Sequence, residues 1–240
     1  MRIIVFAVLS FFIIGLDSQA MQPACMSTRT PCPYFNMLVN HMIKTGKIAV
    51  DTQKLAAQEL VNYSYSWFGI DKSLMERLAN GRADSNGDVD IAGLLNPFQF
   101  PAHKGSLARV DAQTPDEFAE VDSKRLDILN NDQNYSTTLT VHGNSNKYIS
   151  YKQLKKYQVE YCWARSDMSN WKDWVPAKAE VHLLWALFGA YKIKDSSGIE
   201  YIPFELVYNF LRDAVLPENF HANTDNPATL CSVTCAILTE

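Results

Sequence analysis

Pro31-Cys32-Pro33-Tyr34-Phe35-Asn36-Met37-Leu38-Val39-Asn40-His41 is the stretch on which the fold and chemistry of this chain turn. Phe35, Leu38, Val39 and Met42 recur at helical spacing and Gly46 suits the stop, so a helix is expected over 34–44. Pro33 has the fixed φ of a first helical turn, which puts Cys32 at or next to the N-cap. There the helix dipole and free N–H groups favour the thiolate over the thiol. The flanking prolines stiffen the loop and help to fix the sulfur. A thiolate held in this way can bind haem iron. Taken alone, the Pro-Cys-Pro tripeptide is a weak signal, and a structural or disulfide cysteine is the better reading of it.

Upstream, Arg2 supplies a positive start, Ile3 to Leu16 is almost wholly apolar, and Ser18-Gln19-Ala20 ends the run with small residues. This pattern predicts a cleaved secretory signal over 1–20, with one mature domain over 21–240. The apolar run is shorter than the roughly 20 residues a membrane-spanning helix needs. Export into an oxidising compartment changes how the five cysteines, Cys25, Cys32, Cys162, Cys231 and Cys235, are read. An odd set leaves at least one unpaired, and a metal would occupy such a thiol. No CxxC pair or zinc spacing is present. Asn62-Tyr63-Ser64 and Asn134-Tyr135-Ser136 are glycosylation sequons.

The full length of 240 residues is enough for one domain that buries a cavity as well as a core. A formal charge of −4 and the absence of any basic run argue against nucleic acid and anionic membranes as partners. Further helices are expected at about 52–68, 71–80, 114–129, 150–166, 177–191 and 201–214. Residues 81–115 are punctuated by Gly, Asn-Gly and Asn-Pro, and 131–149 are polar and irregular. With no alternating strand pattern, the expected class is all-α, a single helical domain with long loops. The segment 177–191 stands out, because Val181 to Ala190 is apolar nearly all round yet Glu180 and His182 open it. A carboxylate entering a buried helix needs partners or a proton, which makes Glu180 a candidate acid or base. The plainer alternative is an exposed first-turn Glu favoured by the helix dipole.

The segment from Pro31 to His41 closely resembles the proximal segment of the haem-thiolate chloroperoxidases and unspecific peroxygenases, in which Pro-Cys-Pro is followed by Asn, Leu and Asn-His at these offsets. A second match, Phe100-Pro101-Ala102-His103-Lys104-Gly105-Ser106-Leu107-Ala108-Arg109-Val110-Asp111, looks like the distal loop of that family. A third, Glu180 to Phe188, resembles its distal helix, and Tyr201 to Pro217 the helix after it. The resemblance spans roughly 25–220 in the same order. It implies Cys32 as the axial ligand of haem b, Glu180 as the distal acid–base, and His103 as its neighbour. Ser106 and Arg109 are implied near the cofactor, with hydrogen peroxide and a halide, phenol or small apolar molecule as reactants. Asn36, Asn40 and His41 then become packing and hydrogen-bonding residues.

The chain departs from the family at Ala102, where a Glu is usual, and at Lys104, where an Asp is usual. The family's loop helps to bind magnesium; without the carboxylate the ion is expected to be absent or weakly held. Lys104 or Arg109 is then expected to neutralise a haem propionate. Lys104 also cannot accept the hydrogen bond by which the usual Asp orients the histidine. These departures leave a second reading open, a non-catalytic secreted haem-binding or interaction protein with a decayed distal loop. A third is a haem-free protein with Cys32 in a disulfide. Blander readings fall on His142 and His221, on the acidic string Asp84 to Asp90 as a solvated turn, and on Trp67, Phe68, Trp163 and Trp185 as core; His182 is expected buried and hydrogen-bonded. Phe98 and Phe100 are candidates for lining a substrate channel.

Overall fold

The structure is a computed structural model that describes residues 33–49, 52–80, 83–91, 103–111, 120–169 and 171–222. The expected signal segment, Cys25, Cys32, Phe98, Phe100, Ala102, Cys231 and Cys235 lie outside the described residues. Among those described, no helix is long and apolar enough to cross a membrane.

Helix α1 (Pro33–Lys44) forms as its spacing predicts. Phe35, Met37, Leu38, Val39 and Met42 are all buried. Strand β1 (Lys54–Ala56) leads into α2 (Ala57–Phe68), and α3 (Lys72–Asn80) packs against α2. Gly69 closes α2 in the left-handed conformation, donating its N–H to the Tyr65 carbonyl. Strand β2 (Asp88–Asp90) pairs antiparallel with β1, Leu55 opposite Val89.

The second half is not purely helical. Helix α4 (Ser123–Asn131) is followed by a hairpin of β3 (Thr137–Val141) and β4 (Asn144–Ser150). Strand β6 (Glu200–Pro203) pairs with β4, and the short β5 (Ile193–Lys194) with β6, giving the antiparallel order β3-β4-β6-β5. The expected all-α class is therefore wrong: the fold is mixed α/β, mostly helical, with two sheets. The segment 131–149, expected to be irregular, holds the hairpin; the expected helices at 52–68 and 201–214 each open with a strand. Val141 pairs with Asn144 across a two-residue turn, and both turn residues, His142 and Gly143, have positive φ. That is the primed turn whose twist matches paired strands.

Ser150 and Gln153 form a capping box that starts α5 (Tyr151–Tyr157). The chain continues through one π-turn (Gln158–Cys162) and one 3-10 turn (Trp163–Arg165), so the expected helix at 150–166 is broken into three geometries. Helix α6 (Trp171–Leu187) starts well before the expected residue 177 and carries Pro176 inside it. Helix α7 (Phe204–Asp213) buries Phe204, Val207, Phe210 and Leu211, one stripe at helical spacing, and packs on α1, α4 and β4. One apolar core runs from α1 through α2, α5 and α6 to α7.

Candidate functional site

The site is organised around the loop 103–111, held from both sides by polar side chains. On one side stands α6. Asp173 and Glu180 are seven residues apart, two turns, so both face the same way. Asp173 Oδ1 accepts the Lys104 N–H at 2.9 Å. Glu180 Oε1 accepts the Ser106 hydroxyl at 3.1 Å, and Oε2 accepts the Leu107 N–H at 2.9 Å. Glu180 is thus no exposed first-turn residue. It lies mid-helix, half-buried, beside Ala177, Val181 and Leu184, which are buried.

On the other side stands Arg125, only 5% exposed and gathering oxygens from the whole loop. Its Nη1 donates to the carbonyls of Ser106 at 2.8 Å and Arg109 at 2.7 Å. Nη2 meets Asp111 Oδ2 at 2.7 Å, and Nε lies 3.3 Å from Asp122 Oδ2. Asp122 is also the N-cap of α4, accepting the Arg125 N–H. Asp111 accepts the Gly105 N–H at 2.8 Å and the Ser166 hydroxyl. Tyr157 donates to the Leu107 carbonyl at 3.1 Å and the Arg125 carbonyl at 2.7 Å. Burial holds the Tyr157 phenol far above its ordinary range, so it stays a donor at all working pH. The π-turn brings Cys162 under this network, and burial pushes its thiol up to about 12.

Sequence reasoning placed Glu180, His103, Ser106 and Arg109 in the site. The structure brings Glu180 and Ser106 into direct contact. Arg109 is buried, with its carbonyl on Arg125. His103 Nδ1 lies 3.1 Å from the Lys104 carbonyl, which only accepts, so Nδ1 carries the proton and Nε2 is the basic nitrogen. The main chain thus supplies the acceptor that the Lys104 side chain cannot. Lys104 Nζ points to Asp167 at 3.7 Å on the surface. His182 pairs with the Tyr151 hydroxyl, and the His41 Nδ1 with that of Tyr63 at 2.7 Å. Asp84 forms a turn and an ion pair with Lys54 at 2.6 Å, as a solvated loop would. Trp67, expected in the core, is 43% exposed.

Arg125, Asp173 and Tyr157 were not legible as site residues. Asp173 sits seven residues before Glu180, a spacing that becomes informative once Pro176 is allowed inside the helix. Gly105 has φ +71°, and a Cβ there would stand 2.5 Å from Trp163 Cδ1 and 2.8 Å from Met168 Sδ. Trp163 Nε1 is buried without a hydrogen-bond partner among the described residues. Among the described residues, no group of three or more His, Cys, Asp or Glu is placed to hold a metal ion. The family model described as peroxidase, family 2, matches residues 19–225. No curated protein matches the chain.

Proposed function

Because the chain belongs to family 2 of the peroxidases, we propose that it is a secreted haem-thiolate peroxidase or peroxygenase in which Cys32 holds the iron of haem b and Glu180 carries the proton of hydrogen peroxide. Membership alone supports the coarser statement: an oxidoreductase of peroxidase type that takes hydrogen peroxide and small-molecule substrates, with a haem or metal cofactor. The finer reading rests on one observation, the Glu180 carboxylate fixed against Ser106 and Leu107 in the loop that His103 opens.

The residues present suit a porphyrin. Such a group asks for one strong axial ligand and for donors to its carboxylates. Helix α1 has no acidic side chain in its first turn, the arrangement that favours an anionic sulfur just ahead of it. The buried Nε1 of Trp163, next to the site loop, is a donor of the kind a haem carboxylate accepts. When bound, the haem supplies the redox chemistry with peroxide.

The chain's own residues supply positioning and proton transfer. A carboxylate offers about four acceptor positions. Ser106 and Leu107 take two of them, which fixes the plane of Glu180 and leaves a lone pair on each oxygen for a proton in transit. With peroxide held at the site, Glu180 would accept a proton from it and return one, acting as general base and then as general acid. His103, with Nε2 as its basic nitrogen, is the second proton carrier. Arg125 brings positive charge to the loop, bound to two of its carbonyls and to the Asp111 carboxylate. Magnesium is therefore expected to be absent or weakly held, and metal analysis of the holoprotein that found one tightly bound magnesium per haem would refute this.

Secretion rests on the pattern from Arg2 to Ala20, and glycans would attach at Asn62 and Asn134, both of which are exposed. Glu180→Gln lowers the rate of peroxide consumption by about 10²–10⁴; an unchanged stopped-flow rate removes Glu180 from the mechanism. The second reading, a non-catalytic haem-binding protein, is favoured by Ala102 and Lys104 and by the service of Glu180 as a loop anchor. A haem-loaded protein that leaves a phenolic dye untouched in peroxide would establish it.

A further inference from the structure

Among the described residues, Trp67 is a large aromatic that the fold leaves exposed, at the C-terminal end of α2. It is not isolated. Its ring stands 4.9 Å from His41 and 5.9 Å from Tyr63, centre to centre. Tyr63 in turn is 6.2 Å from Phe68, and Phe68 6.2 Å from Tyr34. The Tyr34 hydroxyl also bonds Ser64, the chain neighbour of Tyr63, beside these edge-on and tilted ring contacts. Tyr34 is two positions from Cys32 in the chain. An aromatic path thus runs from Tyr34, in the first turn of α1, through buried rings to a solvent-facing indole.

Its middle member is equipped for proton-coupled oxidation. Tyr63 is buried, and burial raises its phenol above the ordinary range, so it is neutral and must release a proton when it loses an electron. Its hydroxyl lies 2.7 Å from His41 Nδ1 and 2.6 Å from Thr45 Oγ1. Burial and the nearby Lys44 lower the His41 pKa, which keeps the imidazole neutral and able to receive that proton. Packing alone does not call for an indole open to solvent at the end of this path.

We propose that Trp67 is a second, surface oxidation site, serving electron-rich phenols and aromatic amines too bulky for a buried pocket. It rests on the reading of Cys32 given above, since peroxide reduced at that centre provides the oxidant. Each hydrogen peroxide, with two electrons and two protons, becomes two waters. For each electron, Tyr63 yields an electron inward while its proton moves to His41. Trp67 refills Tyr63, and the proton returns to the phenol oxygen. A donor at the surface then gives one electron to Trp67 and one proton to solvent. Two donors are oxidised to two radicals per peroxide.

The test uses the haem-loaded protein, peroxide and a nitroso spin trap, followed by peptide mass spectrometry. The trap is expected on Trp67 in the wild type and to vanish from that peptide in Trp67→Phe. A polymer-linked phenol should be oxidised by the wild type and, in Trp67→Phe, only at the rate of a peroxide-free control, while free phenol is oxidised equally by both. Tyr63→Phe, with Trp67 intact, should also lose the Trp67 adduct. A haem-loaded protein that oxidises free phenol without trapping at Trp67, or whose Trp67→Phe variant still oxidises the tethered phenol, overturns the surface site alone. A chain with no haem absorption that oxidises neither phenol overturns the Cys32 reading and the surface site together.

Discussion

Replacing Arg125 with Met should loosen the whole site from a position outside the reactants' reach. The guanidinium is bound to Asp111 at 2.7 Å and to two carbonyls at 2.8 and 2.7 Å, in surroundings where water cannot take over. Removing one partner of a buried ion pair costs about 3–5 kcal/mol, because the other charge stays behind unpaired. Each buried carbonyl left without its donor costs roughly 1–3 kcal/mol. Neighbouring losses do not add, so about 3–5 kcal/mol is the expected total. At about 2–4 °C per kcal/mol for a domain of this size, the melting temperature falls by roughly 6–20 °C. Arg125→Lys keeps the charge but not the planar fork, and should fall between the two. Thermal unfolding followed by circular dichroism reads the effect. An Arg125→Met variant melting within 2 °C of wild type, about the scatter of an inert surface change, would refute the assignment of Arg125 as the loop's anchor.

Other outcomes follow from the same geometry. Cys162, buried and with its thiol near 12, should resist iodoacetamide at pH 8 in the folded protein and be alkylated on unfolding, as peptide mass spectrometry would show. Gly105→Ala places a Cβ against Trp163 and Met168 at a left-handed φ, and should cost about 1–3 kcal/mol by urea unfolding. The Lys54 ammonium and the Asn86 and Asp88 N–H groups lower Asp84 from 3.8 to about 2. A depressed carboxyl stabilises the fold above its unfolded value, so this contribution is complete above pH 4 and is lost as pH falls through about 2. Lys54→Met should raise the Asp84 titration seen by NMR back towards 3.8.

Local signals carried the helices. The apolar spacing of Phe35, Leu38, Val39 and Met42 gives α1 almost to the residue, because one face of a helix must meet the core. The hairpin escaped notice because Thr137, Thr138 and Thr140 are polar in composition, although they are β-branched and His142-Gly143 supplies the turn. Proline is disfavoured inside a helix, so the expected start at 177 falls short of the Trp171 at which α6 begins. Correcting the start moves Glu180 to mid-helix and puts Asp173 on its face. Glu180 itself was legible as a charge at the edge of an apolar run. Arg125 was not: its partners in the loop are residues 106, 109 and 111, and only the folded chain brings them to it.

The most direct measurement of the central claim is the absorption spectrum of the reduced, carbon monoxide-bound holoprotein. Sulfur from Cys32 on the iron gives the far red-shifted main band of a thiolate haem, and Cys32→Ser loses it. A band at the shorter wavelength of histidine-ligated haem in the wild type, or the same red-shifted band surviving in Cys32→Ser, would contradict the account.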